Sequence, residues 1–453
     1  MYSKYLRSAG VISPSQNPLE PVLFSVFNAF GENYPSMQFT RLATRMSRGW
    51  KIADVRSAAH AAVPELLSAF LPYARVEIAR HHSLGRAVVV ATTTPFELVK
   101  PFADAIGCDD VIATAYGEDH GCFDGSIQGE FVWGKGKARS VAAWCERNGI
   151  DLGDCAAYSD SYYDVPLLSM VNEPWVINPD PRMMAVAALR RWPTRYFDSP
   201  AGVPQIAGIE PQRAVMTFAR PELFPYAKFK MYGTKRVPRV GPAIVVGNHR
   251  SYFDPLAIGC TLAKAGRPVR FLGKKEVFDA PIVGDIARAM GGIRVDRATG
   301  SDAPLQQAEQ ALEAGELVAL MPQGTIPRGR EFFNPVLKGR FGAARLAHAT
   351  RAPIIPIGLW GTEKVWPRSS KLPNIAGVLN PPTVTIAVGR PVELGYEDLE
   401  SDTERIMSAI VDLLPPQARH WHQPTDEELL ATLPSGSTLD DVTSEARRRP
   451  GTD

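Results

Sequence analysis

The sequence predicts an α/β protein of two domains, and three observations carry that expectation. Its 453 residues exceed what one ordinary core organises. Over residues 1–195, short apolar runs alternate with helix-period stretches, the pattern of a doubly wound parallel sheet. After a turn-rich connector at 196–212, a second series of apolar runs occupies 213–420, each closing on polar residues.

Composition narrows the function classes. Apolar residues make up 45% and charged residues 22%, with a formal net charge of +2, so no basic excess argues for nucleic acid. Five cysteines, Cys108, Cys122, Cys145, Cys155 and Cys260, form no C-x-x-C pair. That argues against a zinc site or a disulfide framework and for a reducing compartment. Residues 1–11 lack the apolar stretch of a signal peptide, and no run approaches the roughly 18 apolar residues of a membrane span. A cytoplasmic chain that can at most lie on a membrane is expected.

In the first domain, residues 20–80 are expected to be helical, with Val55–Phe70 and Tyr73–His81 carrying apolar residues at three- and four-residue spacing. A strand is expected over 86–91, a helix over 96–106, a strand over 111–116, a helix over 137–148 and a strand at 155–158. Thr92 follows the first strand, Lys137 opens the later helix, and Asp160 and Asp164 follow the last strand. These pieces resemble the haloacid dehalogenase superfamily, in its phosphoserine-phosphatase-like branch. The resemblance implies that Thr92 binds phosphate, that Lys137 neutralises the phosphoryl group and that Asp160 and Asp164 hold magnesium. It also implies a D-x-D nucleophile on the first core strand, and no D-x-D occurs in the sequence. The chain is therefore expected to open inside the helical cap of a truncated domain. Either the start is assigned too late or the domain has become a scaffold.

From Arg213 to Arg239 basic residues interleave with Met216, Phe218, Leu223, Phe224, Tyr226, Phe229 and Tyr232. Two readings stand: contact with an anionic membrane surface, or a half-buried helix pair with a solvated basic face.

The chemistry centres on Gly247-Asn248-His249-Arg250-Ser251-Tyr252-Phe253-Asp254-Pro255, which follows the strand-like run 243–246. A histidine beside a carboxylate makes a general base at neutral pH, because the carboxylate fixes the tautomer and stabilises the imidazolium. Five positions apart, the two side chains share no helix face. They meet if His249 sits in a loop and Asp254 in the first turn of the next helix, a junction that suits Pro255. Four more stretches follow: 271–278 with Lys274 and Lys275, 291–297 closing on Arg297, 318–325 running into Gly324 and Thr325 with Arg328 beyond, and the proline-flanked strand 353–358.

In this order the stretches resemble the glycerolipid acyltransferase family, which includes lysophosphatidic acid acyltransferase. By that resemblance His249 deprotonates the acceptor hydroxyl, Asp254 orients His249, Arg297 contacts the acceptor's phosphate, and Gly324 lets the chain pass close to the ligand. Two departures stand out. The third block usually reads F-P-E-G-T-R-S; here Gln323 replaces the glutamate and Ile326 the arginine, with Arg328 two residues on as a candidate substitute. Lys274 and Lys275 could approach the phosphates of acyl-CoA or the acidic surface of an acyl carrier protein. Lys338 opens an expected amphipathic helix. Residues 421–453 are polar and expected to be a disordered tail, apart from a capped helix start at 424–428.

The resulting expectation is an acyltransferase that needs no cofactor for acyl transfer. It would move a fatty acyl group from a CoA or carrier-protein thioester to a lysophospholipid, 1-acyl-sn-glycerol 3-phosphate first among acceptors. It would sit peripherally on the inner face of the cell membrane, with magnesium a possible ligand of the first domain. The rivals are a phosphatase and a non-catalytic lipid-binding scaffold.

Overall fold

The computed structural model describes residues 2–12, 41, 44–200, 202–205, 210–216, 220–296 and 302–441. The chain divides into two compact units, Met1–Ala201 and Gly202–Asp453. Arg297, part of the expected helical region at 20–40, part of the connector and residues 442–453 lie outside the described residues.

In the first unit the helices Ile52–Ala69 and Pro72–Ser83 match the expected apolar spacing. β1 (Val89–Pro95) pairs in parallel with β2 (Asp110–Asp119), and β3 (Cys122–Gln128) returns antiparallel to β2. The hairpin between β2 and β3 turns at His120 and Gly121, both at positive φ. After the helix Lys135–Arg147 come β4 (Ala156–Ser159), β5 (Glu173–Ile177) and β6 (Thr194–Arg195), all parallel. β1 starts three residues later than expected and runs through Thr92-Thr93-Thr94, because Val89 is the residue that meets Asp110 and β-branched threonines suit a pleated strand.

The described strands of this unit form two separate three-stranded sheets, β1-β2-β3 and β4-β5-β6. Among the described residues β1 pairs with β2 alone and β4 with β5 alone, and all seven residues of β1 are half-exposed.

The second unit is built on a seven-stranded sheet of β7 (Lys228–Tyr232), β8 (Ala243–Gly247), β9 (Val269–Lys274), β10 (Ile293–Val295), β11 (Leu317–Leu320), β12 (Ile354–Trp360) and β13 (Thr383–Val388). Its order is β10-β9-β11-β8-β12-β13-β7. β8 lies fourth, parallel to both neighbours. Its side chains alternate: Ala243 and Val245 enter one core, Ile244 and Val246 the other. Coverage on both faces explains why this strand reads as a continuous apolar run.

Arg270 of β9 is the largest fully buried side chain among the described residues. Its guanidinium binds Glu316 ahead of β11 (2.7 and 2.8 Å) and Glu210 ahead of the helix Pro211–Met216. Gln212 adds a bond to the Val269 carbonyl (2.6 Å), so the segment entering the unit is fastened to β9, one strand in from the β10 edge.

Three expectations are corrected here. Over residues 220–239 the described residues form no helix pair. Phe224, Tyr226 and Phe229 pack around Phe253 in the core, and Lys228-Phe229-Lys230-Met231-Tyr232 is edge strand β7, its lysines outward. The two-residue alternation of that run is a strand period. Lys338 lies in a loop, and the helix after it starts at Gly342. The tail segment folds through residue 433: a capping box of Thr425 and Glu428 opens the helix Asp426–Ala431, Leu429 and Leu433 are buried, and the Thr432 hydroxyl accepts the Gly329 N–H (2.8 Å).

Candidate active site

β8 ends at Gly247, and the helix Asp254–Lys264 begins seven residues on, with Pro255 in its first turn. The intervening loop brings His249 Nδ1 to 2.8 Å from Asp254 Oδ2. Asp254 is fully buried, whereas His249 keeps 19% of its side chain exposed. The same Oδ2 accepts the backbone N–H groups of Arg250 (2.6 Å) and Ser251 (2.8 Å). Three donors on one oxygen hold the carboxylate in a single orientation. With Nδ1–H directed at Asp254, the lone pair of His249 stands on Nε2, which has no hydrogen-bond partner among the described residues.

Neighbouring strands fix the loop. Asn248 exchanges two hydrogen bonds with Leu359 of β12 (2.9 and 2.7 Å). From the β11 side, Gln323 Oε1 accepts the His249 backbone N–H at 2.7 Å. Arg250 lies between the rings of Phe332 and Trp360, 4.2 and 4.3 Å from their centroids, and pairs with Glu363 at 3.2 Å. Ser251 is unsuited to act as a nucleophile: its hydroxyl is buried, donates to the Trp366 carbonyl (2.6 Å) and accepts the Phe253 N–H. Cys260 is buried as well, and burial pushes its thiol up to about 11.

Of the remaining candidates, Gly324 turns the chain at φ +74°, which favours glycine. Lys274, at the end of β9, donates to the Thr325 hydroxyl (3.3 Å) just past β11. Lys275 instead pairs with Asp296 at 3.1 Å. Arg328 is half-buried two residues after Ile326, which is buried. Asn248, Arg250 and Trp366 escaped the sequence reading, and Gln323 entered it only as a lost carboxylate.

In the first unit Lys137 and Ser159 both donate to Asp164 Oδ2 at 2.7 Å, while Asp164 Oδ1 is buried without a partner. Thr92 accepts the Thr94 N–H through its hydroxyl (3.2 Å). Asp160 is exposed and makes no hydrogen bond or ion pair among the described residues. One carboxylate already held by an ammonium, beside a second turned to solvent, is not the converging oxygen set that magnesium prefers. Among the described residues no group of three acidic, histidine or cysteine side chains is placed to hold a metal.

Residues 228–360 match the Acyltransferase family, and residues 7–169 match the haloacid dehalogenase-like hydrolases. The chain joins a haloacid dehalogenase-like domain to an acyltransferase domain. Its relatives divide the same way. An inhibition of morphological differentiation protein of Streptomyces azureus is 34% identical over 184 residues, 40% of this chain and 66% of that one. A chloroplastic 1-acyl-sn-glycerol-3-phosphate acyltransferase of Brassica napus is 29% identical over 188 residues, 40% of this chain and 50% of its own. The chain thus spans between half and two thirds of the length of these relatives. The crystal structure of the 1-acyl-sn-glycerophosphate acyltransferase of Thermotoga maritima aligns with 47% of this chain and 83% of its own at 20% identity, with a TM-score of 0.34. His249, Asp254, Lys274, Gly324 and Thr325 all lie within the stretch assigned to the acyltransferase domain.

Proposed function

We propose that the acyltransferase domain moves a fatty acyl group from a thioester to the free hydroxyl of a lysophospholipid, with 1-acyl-sn-glycerol 3-phosphate as acceptor and phosphatidic acid as product. The observation that carries this reading is the His249–Asp254 pair at the carboxyl end of the central strand, its Nε2 unpartnered. Nε2 takes the proton of the acceptor hydroxyl, and the oxygen attacks the thioester carbonyl. The C–S bond then breaks, and the departing thiolate takes the proton back from the imidazolium. Asp254 balances the imidazolium charge throughout, with the acceptor's own hydroxyl standing where a triad would place serine.

Lys274 and Thr325 support an anionic acceptor, since they meet where β9 ends and just past β11, the neighbour of the strand that bears His249; Arg328 follows in the same loop as Thr325. The neutral Gln323 adds no negative charge there. Both substrates and the product are amphiphiles, so the domain works at the inner surface of the cell membrane.

The test is thioester consumption by the purified protein with lysophosphatidic acid in micelles, using acyl-CoA and acyl carrier protein as alternative donors. Free thiol should appear with two-chain phosphatidic acid, and neither should form with His249→Ala. Equal inertness of wild type and variant across several lysolipids and both donors would sink the reading and leave a lipid-binding scaffold. The haloacid dehalogenase-like domain is proposed to be inactive as a phosphatase, because its Lys137–Asp164 pair is closed on itself and Asp160 is turned to solvent. Magnesium-dependent release of phosphate from p-nitrophenyl phosphate, above the level of an Asp164→Asn variant, would refute this.

A further inference from the structure

β11 and β12 flank β8 and run parallel to it, so the loops that leave their carboxyl ends stand on either side of His249. Both loops expose aliphatic and aromatic side chains: Val336 and Phe341 after β11, and Leu372, Ile375, Val378 and Leu379 after β12, with Leu379 99% exposed. Single exposed apolar residues are ordinary on any surface. A group of them on two loops framing one site is not.

These side chains stand on ordered backbone tied to the site. Ser251 of the histidine loop donates to the Trp366 carbonyl (2.6 Å), and Arg368 donates to the Ile326 carbonyl (2.8 Å), joining three loops. The Asn374 N–H bonds to the Val365 carbonyl at 2.8 Å, and a 3-10 turn follows over Ile375–Leu379. Exposure of these groups is thus built into the loop rather than left by a frayed end.

Charge selects the occupant. Residues 333–341 and 366–382 contain no aspartate or glutamate, while Arg340 and Lys371 are exposed among the apolar groups, as is Lys338, 3.9 Å from Glu331. Aliphatic tips between cations match an anionic bilayer, which takes the tips into its acyl boundary and the cations at its headgroups. An acidic protein partner would use the cations, but it gives no reason for aliphatic tips standing clear of the surface.

We infer that the loops following β11 and β12 form a bilayer-docking rim, which sets the acyltransferase site against the membrane so that a lipid acceptor reaches His249 without crossing water. The choice of a bilayer over another apolar partner rests on the acyl-transfer reading above. The rings of Phe224, Tyr226 and Phe229, earlier candidates for membrane contact, pack against Phe253 instead.

The experiment is flotation of the full chain with vesicles of phosphatidylcholine containing phosphatidylglycerol, which needs no turnover. The variant carries Leu372→Glu, Ile375→Glu and Leu379→Glu together. The control is Val240→Glu, at a similarly exposed valine ahead of β8 and so at the amino end of the parallel strands, away from His249. Wild type and control should float with the vesicles, and the triple variant should lose at least tenfold in partitioning while keeping the wild-type melting temperature. It should also keep its rate on a short-chain acceptor below its micelle concentration. Replacing phosphatidylglycerol with phosphatidylcholine should weaken wild-type binding. Failure of the wild type to float, equal loss in the control, or a change confined to self-association would each overturn the rim. Flotation without any acyl transfer would overturn the proposed chemistry and leave the rim standing.

Discussion

Three N–H donors meet on one oxygen of Asp254, so this side chain shapes the loop as well as orienting the base. Asp254→Asn puts an amide where His249 Nδ1 and two backbone donors expect an acceptor. It should lower kcat by about 10²- to 10⁴-fold, the range of a misdirected general base, with KM far less affected. Gln323 makes a sharper case. It accepts the His249 backbone N–H, a task that either a glutamate or a glutamine oxygen performs. Gln323→Glu should therefore remain active, whereas Gln323→Ala should cost about 1–3 kcal/mol by leaving that N–H unpaired. Steady-state kinetics on both variants would separate them, and collapse of the glutamate variant would show that the amide NH₂ is what matters. His249 and Asp254 were legible because a strand, a loop and Pro255 fix their meeting within nine residues. The task of Gln323 was not, since it depends on β11 lying beside β8, 74 positions away in sequence.

Among the elements, the clearest dependence is that of the histidine loop on β12. Asn248 closes a reciprocal amide pair with Leu359 in a fully buried setting. Asn248→Ala should lower the melting temperature by roughly 2–4 °C for each kcal/mol lost, through two orphaned backbone groups. An unchanged melting curve would mean that water or a shifted loop replaces both bonds. The buried strands were legible as apolar runs, and the helix starting at Asp254 as a requirement of the histidine geometry. β7 was not, because its five residues carry the same basic and apolar types as an amphipathic helix and differ only in their period of two. Its identity as an edge strand is settled by β13, more than 150 residues on, to which it pairs.

At the scale of the whole molecule, charge is buried where segments distant in sequence must be locked together. Burial alone would lower the basicity of Arg270, but the hydrogen bonds its guanidinium donates to Glu316 and Glu210 outweigh it and raise it. Removing this one partner leaves two carboxylates uncompensated. Arg270→Met should therefore cost about 3–5 kcal/mol in urea unfolding, while replacing all three residues by apolar ones should cost far less. Asp402 gives the pH dependence. Burial acts to raise its pKa, but His348 at 2.7 Å and the N–H groups of Gly395 and Tyr396 more than offset this and hold it below the ordinary carboxylate value. A depressed native pKa contributes stability that is present above the unfolded value of about 3.9 and is lost as pH falls through the native one. Melting temperature should thus fall below about pH 4 more steeply in wild type than in Asp402→Asn. Identical acid profiles would remove Asp402 from the account.

The division into two α/β units was legible from the alternation of runs and from the linker composition. The interruption between β1-β2-β3 and β4-β5-β6 was not visible in the alternation of runs; only strand pairing shows it.

That interruption has a consequence for how the molecule meets solvent. An amide on β8 is shielded by strands on both sides and by a core on each face, so it trades its proton for deuterium only when the second unit unfolds as a whole. Outward-facing amides of β1 and β4 have no strand beside them among the described residues, and they can trade theirs while both units stay folded. Deuterium uptake followed over hours would draw two clocks on one chain, a fast one along the outer amides of β1 and β4 and a slow one through the strand that leads into the histidine loop.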